Sequence, residues 1–111
     1  MACSKHTPSE AADRYYDALR SENYDEVLQM MHFARPDESI RTELIDYLRE
    51  QNTKQIQLNG GISKSAVIRQ TISSDGKSAE VVSAITYKNN EEGEQTLKFI
   101  SVDGQWLLDV R

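Results

Sequence analysis

A single cysteine, Cys3, among 111 residues rules out an internal disulfide. The two histidines, His6 and His32, stand far apart, and no C-x-x-C pair accompanies them. The spacing that a structural or catalytic zinc ion needs is therefore missing, and no metal or other cofactor is expected. His6 reads as a solvated tail residue. His32 reads as a cation at a helix C-terminus, where the helix dipole favours it. No apolar run reaches the roughly 18 residues of a transmembrane helix, and the N-terminus lacks the apolar stretch of a signal peptide. A basic excess is missing too. Thirteen Lys and Arg face eighteen Asp and Glu, for a formal charge of -5. The cations are scattered singly among acids, whereas phosphate backbones and acidic lipid surfaces call for a clustered cationic face. Nucleic acid is thus not an expected partner. No internal repeat or low-complexity segment is visible.

The apolar content, 38%, is enough for one modest core and is spread evenly along the chain. Thr7-Pro8-Ser9-Glu10 predicts a helix start. Thr7 can cap, Pro8 suits the first helical position, and Glu10 sits where a capping box needs a carboxylate. Ala11, Ala12, Tyr15, Tyr16, Ala18 and Leu19 then form one helical face. Asn23 and Glu26 open a second helix, with Tyr24, Val27, Leu28 and Met31 on its face, ending near Phe33. Arg35-Pro36-Asp37 breaks the chain. A third helix is predicted from Asp37 to Gln51, with Ile40, Leu44, Ile45, Tyr47 and Leu48 on its apolar side.

Beyond Asn59-Gly60-Gly61, β-branched residues dominate and four strands are legible. The first spans Ile62 to Ser73, with Ile62, Ala66, Ile68 and Ile72 facing inward. The second spans Ser78 to Lys88, with Val81, Ile85 and Tyr87 inward. The third spans Glu94 to Val102, with Leu97 and Phe99 inward. Asp103-Gly104 is a tight-turn signal, and the last strand, Gln105 to Val110, places Trp106, Leu108 and Val110 on one face. A short extra strand over Gln55 to Leu58 is a further option. Short turns between consecutive strands imply an antiparallel meander, and the helices must cover one of its faces. The expectation is an α+β fold with three N-terminal helices on a curved four-stranded antiparallel sheet, occupying residues 7–111 behind a tail of residues 1–6.

The order of elements and two stretches of sequence resemble the nuclear transport factor 2-like (cystatin-like) superfamily. The first stretch runs from Thr7-Pro8-Ser9-Glu10 through Ala11 to Leu19 and on to Asn23-Tyr24-Asp25-Glu26-Val27. The second covers Ser78-Ala79-Glu80-Val81 to Thr86-Tyr87-Lys88, then Phe99-Ile100-Ser101-Val102-Asp103-Gly104-Gln105-Trp106-Leu107-Leu108-Asp109. The nearer likeness is to small bacterial domains of unknown function in that superfamily, many of them lipoproteins. The resemblance implies a cone-shaped fold. It strengthens a reading of Cys3, followed by the polar Ser4-Lys5-His6, as a lipid-attachment site that holds the domain at the bacterial cell envelope. Contact with a membrane would then run only through that anchor.

Catalytic patterns are sparse. No G-x-S-x-G elbow occurs, and Gly60-Gly61 lacks the lysine and helix of a phosphate loop. The fold's isomerases bury an aspartate base and a tyrosine donor in the cone. Here Asp13 and Asp17 share a polar helix flank, and the inward strand positions carry no acid. Tyr16, Tyr87, Phe99 and Trp106 are the candidate pocket-lining residues, although aromatics also fill small cores outright. The reading is a non-enzymatic accessory domain that binds a protein, glycan or small molecule, as a monomer or weak dimer. The alternative is an acid/base enzyme of isomerase or dehydratase type working in the cone.

Overall fold

A computed structural model describes residues 7–32 and 38–109. The first helix, α1 (Pro8–Arg20), starts as its capping chemistry dictates. The Glu10 N–H donates to Thr7 Oγ1 at 3.1 Å, and the Thr7 N–H donates to Glu10 Oε1 at 2.9 Å. Its small residues Ala11 and Ala12 let it lie close to the sheet, and Tyr16 is buried completely. Glu22, in a left-handed conformation, turns the chain into α2 (Tyr24–Gln29), which Asn23 caps.

The helix α2 is shorter than its apolar spacing predicts. It ends at Gln29, and Met31–His32 form a short strand, β1. His32 is therefore a strand residue in register with Asp109, not a cation closing a helix. Phe33, the predicted helix end, lies outside the described residues. The third helix, α3 (Glu38–Asn59), outruns its predicted end and absorbs the segment offered as a strand over Gln55 to Leu58. No glycine or proline interrupts it before Gly60, so only the Gly60-Gly61 pair stops it. Both glycines have positive φ, and a Cβ on Gly60 would stand 2.9 Å from the Lys88 Cβ.

Four long strands follow: β2 (Ile62–Ile72), β3 (Ser78–Tyr87), β4 (Glu92–Val102) and β5 (Gln105–Asp109). They form an antiparallel meander, and β1 adds to β5 in parallel, giving a sheet in the order β1-β5-β4-β3-β2. The sheet is thus five-stranded and mixed rather than four-stranded and antiparallel, because the chain leaving α2 passes along the free edge of β5. Asp103 and Gly104, both at positive φ, make the predicted tight turn.

The inward face of β2 is not the predicted one. Ile62 is buried, but Ala66 and Ile68 are exposed, Ile68 by 51%, and Ser65 and Val67 turn inward instead. Register shifts at Ile62/Lys64 and Val67/Arg69 explain this, since each extra residue reverses the alternation. Beyond the second shift Ile72 pairs with Ala79, yet it is 45% exposed.

The core has two parts. One joins α1 to the sheet through Ala12, Tyr16, Ile62, Val81, Ile85, Phe99 and Leu108. The other holds the helices together through Ala18, Tyr24, Val27, Leu28, Met30 and Leu48. Each fully buried large side chain contributes about 1.5–3 kcal/mol. Since α3 meets this second part through Leu48, its C-terminal half stands beside the sheet and leaves a cleft between them.

Candidate functional site

The cleft measures about 130 Å³. One wall is α3, with Leu48, Gln51, Asn52 and Gln55 at helical spacing. The facing side is Tyr15 and Leu19 of α1, Ile62 of β2, Tyr87 of β3 and Gln95 of β4. Four carboxamides and two phenols line it. Among the described residues that line it, none is a carboxylate, an imidazole, a thiol or a cation.

Two hydrogen-bonded struts hold this lining. The Asn52 Nδ2 donates to the Tyr24 hydroxyl at 2.9 Å and to the Leu19 carbonyl at 3.2 Å, which pins α3 to both preceding helices. The Arg49 guanidinium lies 5.7 Å from the centre of the Tyr24 ring and braces the same junction. Behind the opposite wall, the buried Tyr16 hydroxyl donates to Gln95 Oε1 at 3.2 Å. That bond aims the Gln95 amide. The Tyr15 and Tyr16 rings meet edge to face at 5.2 Å. Burial, and then the neighbouring phenols Tyr15 and Tyr87, push the Tyr16 hydroxyl far above its usual range. Burial and then Tyr47 raise Tyr15 as well. Both are neutral donors at physiological pH.

The structure separates the four aromatic residues singled out from the sequence. Tyr87 lines the cleft. Tyr16 lies beneath it and acts on it through Gln95. Phe99, 1% exposed, is a core residue whose edge reaches a separate open groove beside Ser78 and Lys98. Trp106 lines a third groove beside Arg14. Cys3 lies outside the described residues. The cleft's carboxamides are absent from the sequence reading. Gln51, Asn52 and Gln55 become one wall only once the third helix is known to continue past Gln51. A glycine-free, proline-free run up to Gly60 was the available signal.

Asp13 is raised from the usual carboxylate range, first by partial burial and then by Asp17 and Glu10. It sits on an exposed flank of α1 and is not part of the cleft lining. Among the described residues no group of three His, Cys, Asp or Glu could hold a metal ion. No described helix is long and apolar enough to cross a membrane.

No family model matches the sequence, and no curated protein matches it. Solved structures do. A candidate NTF2-like transpeptidase from Campylobacter jejuni superposes with a TM-score of 0.78 at 18% identity, covering 96% of this chain and 100% of that one. A SEC-C motif containing protein from Rhodopseudomonas palustris superposes with a TM-score of 0.62 at 15% identity, covering 96% of this chain and 78% of that one. At such identities the likeness speaks to fold alone. The helix-on-sheet cone, the order of its elements and this superposition agree: the chain has the NTF2-like fold.

Proposed function

We propose that this domain is a binding module that holds a small uncharged, hydrogen-bonding group, such as a neutral sugar ring or an amide, in the cleft between α3 and the sheet. The observation that carries this reading is the lining itself, four carboxamides and two phenols with no charged side chain. Carboxamides offer both donors and acceptors, so they match hydroxyl- and amide-bearing ligands. The apolar Leu19, Leu48 and Ile62 between them would meet the ligand's carbon face. At about 130 Å³ the cleft falls below the roughly 300 Å³ lower bound of sites for drug-sized ligands, which favours a fragment over a steroid-sized molecule.

Proton abstraction in the cone calls for a base inside it. The lining offers none, so a binding role is favoured over an isomerase or dehydratase. The C. jejuni neighbour's name suggests acyl transfer. That chemistry needs an activated nucleophile, and Ser83, facing the cone, is 1% exposed with no partner for its hydroxyl among the described residues. A lipid tether at Cys3 belongs to the same proposal, as the means of holding the module at a membrane.

The test is a titration with a panel of neutral monosaccharides and small N-acetylated amides, followed by the amide resonances of Gln51, Gln55 and Gln95. At least one compound should saturate these signals. The Q51A/Q55A double variant, which changes outward parts of the wall, should bind it about tenfold more weakly, as two neutral hydrogen bonds of about 0.5–1.5 kcal/mol each are lost. Saturable binding that the double variant leaves unchanged would refute the cleft as the site.

A further inference from the structure

The groove beside Arg14 and Trp106, of about 210 Å³, opens on a different face of α1. It lies between that helix, the end of α2 and β5, and Arg14, Gln29, Met30, Gln105, Trp106 and Leu107 line it with Ala11. Three features of it converge.

The first is a free strand edge. Among the described residues, β1 is Met31–His32 and pairs with Leu108 and Asp109. On that side, Gln105 to Leu107 have no strand neighbour among the described residues. The Leu108 N–H donates to the Met30 carbonyl at 2.7 Å, so the Leu108 backbone groups face β1. Backbone groups alternate sides along a strand, so those of Trp106, two residues earlier, face the same way. Among the described residues, no hydrogen bond outside the ladder reaches the Trp106 backbone. A donor and an acceptor are thus presented along the groove.

The second feature is charge. Among the described residues, Arg14 is the one charged member of the lining. Its contact with Glu26 is 3.6 Å between side chains 53% and 39% exposed. Such a pair yields readily to a better-placed anion. The third feature is the groove's closed end. A chain laid along Gln105 to Leu107 cannot run past Leu108, because β1 already occupies that edge.

We propose that this groove binds the C-terminal residues of an extended peptide from a partner protein. The peptide adds to the edge of β5 through the Trp106 N–H and C=O, and its terminal carboxylate pairs with the Arg14 guanidinium. Strand addition accounts for the free backbone groups. The blocked edge calls for a chain end, and the cation selects the carboxylate end over the ammonium end. The half-buried Trp106 ring and Met30 give the last side chains an apolar seat. This site shares no lining residue with the cleft between α3 and the sheet, so either can fail alone.

The experiment uses two equimolar pools of N-acetyl tripeptides that differ only in a free or an amidated C-terminus, titrated into the isotope-labelled protein. The free-acid pool should move the Trp106 backbone and indole N–H resonances and the Arg14 side-chain N–H. The amidated pool should bind about tenfold more weakly, since it lacks the charge-assisted pair. In the R14Q variant, whose exposed side chain can change without unfolding the protein, the free-acid pool should fall to the level of the amidated one. Equal affinity for the two pools, unchanged binding in R14Q, or the absence of any shift at Trp106 would each overturn the proposal. An amidated peptide with an internal aspartate that binds as tightly as the free acids would move the site to side-chain carboxylates and overturn the chain-end reading.

Discussion

Tyr16 couples packing, protonation and the cleft in one side chain. It is fully buried, and its hydroxyl donates to Gln95. Burial keeps it neutral well beyond the ordinary phenol value of 10.0. The unfolded chain releases that proton near pH 10 and the folded chain does not. Between those limits the folded state binds more protons, so stability is fully present below pH 10 and falls as the pH rises above it. Urea unfolding across pH 7 to about 11 should show this decline, and the Y16F variant should make it shallower, leaving the part due to Tyr15. Y16F should also lower stability at pH 7 by about 1 kcal/mol, because the Gln95 acceptor loses its partner. An alkaline slope identical in the two proteins would show that Tyr16 does not titrate as described. The position of Tyr16 on an inward helical face was legible from spacing alone. Its link to Gln95 was not, because the two residues meet only across the fold.

At the scale of elements, local chemistry governs the beginnings and ends. Thr7 and Glu10 satisfy each other's backbone N–H groups, and Gly60 supplies a backbone conformation that a side chain resists. The T7A variant should lose about 1 kcal/mol of stability. G60A should lose about 2 kcal/mol, since a positive φ and a contact with the Lys88 Cβ act together. Thermal or urea midpoints would measure both, and the idea that Gly60 terminates α3 by conformation fails if G60A is neutral. Caps and tight turns were readable because their signals lie within a few residues. The inward face of β2 was not, because two register shifts reverse its alternation and depend on pairing with β3. The strand β1 was hidden for a related reason. Met31 continues the helical spacing of α2, and only the free edge of β5 draws it into the sheet.

For the whole molecule, the path of α1 relates the proposed tether to the cleft. The Ser9 N–H and hydroxyl both donate to Gln70 Oε1 near the far end of β2. Arg20 reaches the Ser63 carbonyl near the start of that strand. α1 therefore runs along β2, and its 13 residues span about 20 Å at 1.5 Å each. The cleft lies at the Arg20 end, beside Leu19 and Ile62. A lipid on Cys3 would thus hold the Thr7 end near the membrane and point the cleft away from it. The product of the native gene should partition into the detergent phase, and its Cys3→Ala variant should stay in the aqueous phase. Aqueous behaviour of both would remove the tether from the proposal.

The sequence by itself determined where the three helices and the four long strands begin, to within about two residues, which residue types form the core, and that the chain divides into a helical half and a sheet half. These follow from spacing, capping and turn chemistry, which act over a few residues. The tertiary structure alone decided the fifth strand, the reversed face of β2 and the separation of the four candidate aromatics into a cleft, a core and two other grooves. It also assembled the carboxamide lining from α3 and β4. Those outcomes depend on which edges pair and which walls face each other across the core, and such contacts between distant residues leave no periodic mark along the chain.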